Sequence, residues 1–246
     1  MTNSVEIVKL ADPDTVAADA ARRFVNIAAA SVESHGSFSV ALSGGSTPKR
    51  MYKLLASDEW RGKVPWENTH IFFGDERRVS HGDPQSNYFM AREALLDHVP
   101  VPADQIYPMD GIGLIRATVR DYEAKLYRYF KHGKREFPRF DLVLLGMGSD
   151  GHTASIFPGT RAVSDRSATV IVYEVPQLGV ERITLTFSVI NNARNILFLV
   201  TGESKADALA SVMSENVHPS QFPAEAVVPV DGTVVWLVDE AAASKL

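Results

Sequence analysis

The chain has 246 residues, 45% hydrophobic and 22% charged, which is ordinary globular usage and argues against disorder. Its 30 acidic and 25 basic residues leave a net charge of −5, so nothing in the overall electrostatics favours nucleic acid or an anionic membrane as a partner. With no cysteine, the chain has no disulfide, no thiolate zinc site, no iron–sulfur cluster and no thiol nucleophile.

The start, MTNSVEIVKL, lacks the basic and apolar regions of a signal peptide. No apolar run reaches the roughly 18 residues that a membrane span requires. A cytoplasmic protein is expected, with the terminal Ser244-Lys245-Leu246 as a slight signal for a peroxisomal address. There are no repeats and no linker, so residues 1–246 read as one domain. Oligomeric state has no signature in the sequence.

Val5 to Leu10 reads as a strand. Asp12-Pro13 then opens a helix, with Val16, Ala20, Phe24 and Ile27 at helical spacing and Gly36 at its end. Phe38 to Leu42 is a short strand, and the helix Lys49 to Leu55 follows the turn SGGSTP. His70 to Phe73 is a strand. Ser86 to Leu96 and Ile115 to Phe130 read as helices. Asp141 to Leu145 (DLVLL) is a strand whose continuous apolar run ends at a glycine, the pattern of a central parallel strand covered on both faces. Further strands are expected at Thr169–Tyr173, Ile183–Thr186, Ile196–Val200 and Val234–Val238, with a helix at Glu203–Met213. This alternation predicts an α/β fold: a Rossmann-like open, mainly parallel sheet with helices on both faces. Ligands of such sheets bind beyond the carboxyl ends of strands.

Three segments sit at such ends. Ser43-Gly44-Gly45-Ser46-Thr47-Pro48 joins a strand to a helix. Its glycines allow close backbone approach, and free amides at a helix N-terminus favour an anion. The bland alternative is a capped turn with Ser46 or Thr47 as N-cap. The loop is no Walker A motif, because the spacing and the Gly-Lys-Ser/Thr ending are absent. Asp75-Glu76-Arg77 is either a solvated turn or a site rim, and Arg77 can hold a phosphate with its planar fork.

The run from Gly146 to Thr153, GMGSDGHT, is the sharpest of the three. A buried strand ends in glycines and delivers Asp150 and His152, two residues apart. The glycine turn, Gly148 included, offers amides to an oxyanion. His152 is a candidate general base. No zinc-ligand spacing surrounds it, and Gly113 in GIG lacks the nicotinamide fingerprint, so no metal and no nucleotide cofactor are expected. Arg182 and Lys205 are surface charges on the simplest reading. A cation in the first turn of a helix is unfavourable, however, which singles Lys205 out as a ligand contact.

The segments ALSGGSTP, FFGDERRV…SNY, FDLVLLGMGSDGHTASIFP, RITLT and TGESKA, in this order, closely resemble the 6-phosphogluconolactonase family. The resemblance runs from about Ser39 to the C-terminal strand. It implies a Rossmann-like fold, hydrolysis of 6-phosphoglucono-δ-lactone, no cofactor, and a small sugar-phosphate lactone as the partner. His152 matches the family's catalytic histidine. The SGGSTP loop, Arg77 and Lys205 match its phosphate contacts, and Arg182 matches a pocket residue. Ser80 departs from the proline common at that position. Two rivals share the fold: a sugar-phosphate isomerase or deaminase, and a non-catalytic sugar-phosphate sensor. Related deaminases carry a Glu five residues after the His, and here that position is Phe157.

Overall fold

The computed structural model describes residues 5–131, 133, 136–214 and 218–246. In chain order the strands are β1 (Val5–Leu10), β2 (Phe38–Leu42), β3 (Thr69–Phe73), β4 (Asp75–Arg77), β5 (Leu142–Leu145), β6 (Val170–Val175), β7 (Val180–Leu185), β8 (Asn195–Val200) and β9 (Thr233–Asp239). The α-helices are α1 (Pro13–His35), α2 (Ser46–Leu55), α3 (Asn87–Ala91), α4 (Ile115–Phe130), α5 (Phe187–Ile190) and α6 (Ala206–Val212).

Six strands form a sheet in the order β1-β9-β8-β5-β2-β3, and every pair in it is parallel. After β2 the chain adds β3 on one side, then returns to lay β5 on the other. The order therefore reverses between β2 and β5, where open α/β sheets place their ligands.

Helices cover both faces. In the β2–β3 register Phe38 lies beside Thr69, and Ala41 beside Phe72. Successive side chains of a strand point to opposite faces. Phe38 meets Phe24 of α1 edge-on, with centroids 5.2 Å apart, whereas Phe72 packs on Tyr129 and Phe130 of α4. The α1 helix starts as its sequence dictates. Asp12 accepts the Asp14 and Thr15 amides at 3.0 and 2.8 Å, and its own amide donates to the Thr15 hydroxyl. Gly36, at φ 84°, ends it.

The structure departs from the expected sheet in one respect. The strands expected at Thr169–Tyr173 and Ile183–Thr186 do not join the parallel sheet. They are β6 and β7, which pair antiparallel with each other and form a second sheet in the order β4-β7-β6. Only Pro176 to Gly179 connects them, with Gly179 at φ 61°. A parallel crossover needs about a dozen residues, so this short turn dictates a hairpin. Buried residues of both sheets, among them Val143, Phe198, Val170 and Ile183, belong to one hydrophobic cluster.

Two helices also differ in detail. Ser86 caps α3 by accepting the Phe89 amide at 3.1 Å, but Arg92–Leu96 winds as a π-helical turn. The expected Glu203–Met213 helix opens with one 3-10 turn over Glu203–Lys205 before α6. At the C-terminal end Lys245 pairs with Asp207 of α6 and the Leu246 amide donates to the Ala243 carbonyl. Among the described residues no helix is long and apolar enough to cross a membrane.

Candidate active site

A cavity of about 220 Å³ opens at the carboxyl ends of β2, β5 and β8, at the strand-order reversal. Ser43, Gly44, Gly45, Ser46, Thr47, Asp75, Arg77, Gly148, His152 and Lys205 all line it. Asp150 and Arg182, also expected at the site, stand just outside the lining.

The loop after β2 is built to leave amides unpaired. The wholly buried Tyr52 on α2 accepts the Ser43 amide and donates to the Ser43 carbonyl, at 3.1 and 2.8 Å. Burial raises the Tyr52 phenol far above its ordinary range, so it stays a donor. Gly45, at φ 107°, is the N-cap of α2, and no side chain caps that helix. The capped-turn alternative with Ser46 or Thr47 as N-cap is therefore corrected: α2 begins at Ser46 itself. The amides of Gly45, Ser46 and Thr47 have no acceptor among the described residues, which leaves them to an anion at the positive end of the helix. The Thr47 hydroxyl bonds that of Thr201 at 2.7 Å and so ties the loop to the end of β8.

Lys205 follows β8 on the 3-10 turn. Its ammonium has no hydrogen bond or ion pair among the described residues. Burial pushes it below the ordinary lysine range, against the opposing pull of Asp150. The turn is anchored from below: both carboxylate oxygens of buried Asp239, the last residue of β9, accept the Gly202 amide at 3.0 Å.

Arg77 and Arg182 face each other in the β4–β7 register. Neither guanidinium has a carboxylate partner among the described residues. Arg77 donates to the Gln85 carbonyl and Arg182 to the Glu181 carbonyl. Burial, and then the neighbouring Arg77 charge, holds Arg182 below the usual guanidinium range. Glu76 serves structure instead: buried, it accepts the amides of Arg77, Asn87 and Tyr88 and the Ser86 hydroxyl, all within 2.9 Å. Its neighbour Asp75 points into the cavity wall, where it accepts the Ser155 hydroxyl at 2.6 Å and the Asn87 amide group at 3.3 Å.

The turn after β5 carries the titratable pair. Nδ1 of His152 lies 2.6 Å from Oδ1 of Asp150, and the His152 amide donates to the same oxygen at 3.1 Å. Burial alone would raise the Asp150 carboxyl; the hydrogen bonds and charge of His152 outweigh it and hold Asp150 below the ordinary aspartate range. The imidazole stacks on Phe157, with centroids 4.1 Å apart and planes inclined by 25°.

Gly148 serves the turn differently from the sequence reading. Its amide is not free for an oxyanion, because it donates to the His152 carbonyl at 2.8 Å. What the turn needs is the missing side chain: a Cβ there would lie 2.1 Å from Nδ1 of His152. Two residues on, Ala154 takes the left-handed conformation at φ 47°, rare for a residue with a side chain. The turn is held on either side of it, by the Thr153 hydroxyl on the Gly146 carbonyl at 2.9 Å and by the Ser155–Asp75 bond.

Lining residues with no individual role in the sequence reading are Asn87, Ala154, Leu199, Val200 and Thr201. Asn87 follows the cap Ser86 and reads locally as one more residue of a helix start. Among the described residues no three His, Asp or Glu side chains gather as a metal site.

The chain has relatives among known proteins. The Synechocystis sp. protein named 6-phosphogluconolactonase is 43% identical over 218 residues, 87% of either chain. A Nostoc sp. protein of the same name is 41% identical over 216 residues, again 87% of either chain. The solved structure of 6-phosphogluconolactonase from Trypanosoma brucei superposes with a TM-score of 0.88 at 32% identity, covering both chains entirely. The model of the family described as glucosamine-6-phosphate isomerases/6-phosphogluconolactonase matches residues 11–236. By that match and those relatives, the chain belongs to the glucosamine-6-phosphate isomerase/6-phosphogluconolactonase family.

Proposed function

We propose that the protein hydrolyses 6-phosphoglucono-δ-lactone to 6-phosphogluconate, with His152 as general base. The observation that carries this reading is His152, paired with Asp150, in the wall of a cavity that also presents free helix amides and cations without a carboxylate partner. Asp150 accepts the Nδ1 proton, so Nε2 is the ring nitrogen with a lone pair for the cavity. A water molecule gives its proton to Nε2 as its oxygen attacks C1 of the lactone. When the tetrahedral intermediate collapses, the C1–ring oxygen bond breaks and the imidazolium returns the proton to the departing oxygen. The amides of Gly45, Ser46 and Thr47, with Lys205 and Arg77, hold the phosphate. Arg182, behind Arg77, adds to the positive field. This remote binding energy fixes C1 against the base. None of these steps needs a metal or an organic cofactor.

Phe157 favours this chemistry over the other one named in the family. It stacks on His152 at the position where the deaminase pattern puts a carboxylate, and a phenyl ring relays no proton. A coupled assay tests the choice. Lactone should disappear faster than by spontaneous opening, with one equivalent of acid released per turnover, and glucosamine 6-phosphate should release no ammonia. Ammonia release without lactone hydrolysis overturns the reading.

A further inference from the structure

We infer that Asn87 is a specificity-determining residue, whose side-chain oxygen accepts a hydrogen bond from a hydroxyl on the carbon chain of the substrate. The inference rests on the lactonase reading above and names a contact within it.

The orientation of the side chain is fixed. Nδ2 stands 2.9 Å from the Asp75 carbonyl and 3.3 Å from Oδ1 of Asp75. Both are acceptors, so only the NH2 end of the amide can face them. Oδ1 therefore points the other way, and it accepts nothing among the described residues. Asn87 is 3% exposed and lines the cavity. Oδ1 is not one of the closed-off polar atoms of the described residues, so it is open to the cavity, where a ligand or water supplies the donor it lacks. The opposite wall makes room for it: a Cβ on Gly44 would lie 2.0 Å from Oδ1. Gly44 and Asn87 thus approach as closely as they do only because the anion loop has no side chain at that point.

The chemistry of the ligand follows from the contrast with the rest of the cavity. The loop amides, Lys205 and Arg77 are donors, suited to phosphate oxygens. An acceptor repels a phosphate dianion, which has no proton to give, and selects a hydroxyl. Asn87 consequently addresses the polyol portion of the substrate and helps set its orientation between the phosphate end and His152.

The test is equilibrium binding, which needs no turnover. Calorimetry compares 6-phosphogluconate with its 2-, 3- and 4-deoxy analogues on the wild-type protein and on Asn87→Ala. One analogue should bind the wild type roughly threefold to tenfold more weakly than the parent, the worth of one neutral hydrogen bond. Asn87→Ala should bind that analogue and the parent within about twofold of each other. A purely structural role for Asn87 weakens all four ligands alike and leaves the differences between them intact; that result overturns the inference, as does failure of the wild type to bind 6-phosphogluconate. Should Asn87→Ala not fold, Asn87→Ser keeps a donor for Asp75 on a side chain too short to carry an oxygen to the position of Oδ1, and is read in the same way. Lactone turnover by the wild type, measured in parallel, reports on the lactonase reading separately.

Discussion

Gly148 and His152 hold each other in place: the Gly148 amide donates to the His152 carbonyl at 2.8 Å, and the space where Gly148 lacks a side chain is occupied by the His152 imidazole. A methyl group there would lie 2.1 Å from Nδ1 of the ring and 2.4 Å from Oδ1 of Asp150. Gly148→Ala should therefore separate the pair and lower kcat by at least about 10²-fold, within the range of a misplaced base. The melting temperature should move little, because the turn faces the cavity. Kinetics measured beside a thermal melt check this, and a folded variant with wild-type kcat would refute it.

His152→Ala removes the proton acceptor and leaves the phosphate contacts whole. Affinity for 6-phosphogluconate should survive while kcat falls by roughly 10²–10⁴-fold after subtraction of spontaneous opening. In the wild type kcat/KM should fall on the acid side, because an imidazolium has no lone pair for the water proton. That limb should be missing from the variant. A folded variant with near wild-type kcat would send the search for the base to Asp75 or Asp150.

Lys205 sets the other limb. Burial lowers its ammonium, which therefore loses its proton at a lower pH than an exposed lysine. As pH rises through that value the cavity loses a positive charge, so KM for the phosphorylated lactone should rise. Lys205→Arg keeps its charge and should remove the alkaline rise. Lys205→Ala should raise KM at neutral pH by roughly ten- to a hundredfold, the worth of a charge-assisted contact, and Arg77→Ala should do likewise. A pH profile of KM that is the same in all three lysine-site proteins would exclude Lys205 from the site.

Glu76 tests the scaffold apart from the chemistry. Its carboxylate satisfies three backbone amides and the Ser86 hydroxyl at the start of α3. Glu76→Ala strands these buried donors, at about 1–3 kcal/mol for each that finds no water. The melting temperature should drop by several degrees or more. An unchanged melt would show that water replaces the carboxylate without loss.

The junctions of the fold were legible because their signals are local. Asp12-Pro13 and Gly36 mark the ends of α1 within one or two residues each. The apolar run before Gly146 marks a covered strand by itself. The partners of β6 and β7 were less visible, since their apolar residues suit a strand in either sheet; the brevity of Pro176–Gly179 was the clue that should have excluded a crossover. At the site, ten of the expected residues line one cavity because they follow the carboxyl ends of parallel strands, which the sheet brings to one edge. Gly148 was marked by its glycine, but its use depends on where a ring two turns of backbone away comes to rest. Asn87 stood in the segment SNY, with nothing local to mark its role. Its role depends on Asp75 and Gly44, both distant in sequence, and only the folded sheet sets the three side by side.

The placement of β9 governs the order of events as the chain is made. Within the sheet β1 pairs with β9 alone, so of these six strands the one made first waits for the one made last. Until residues 233–239 arrive, β8 has one bare edge and Gly202 lacks the carboxylate of Asp239. Closure over nearly the full chain length is slow, and a bare edge invites pairing with another molecule. A nascent chain stopped short of β9 should thus be prone to aggregation and lack a settled turn for Lys205, even though the sheet's other strands and the turn bearing His152 have already been synthesised.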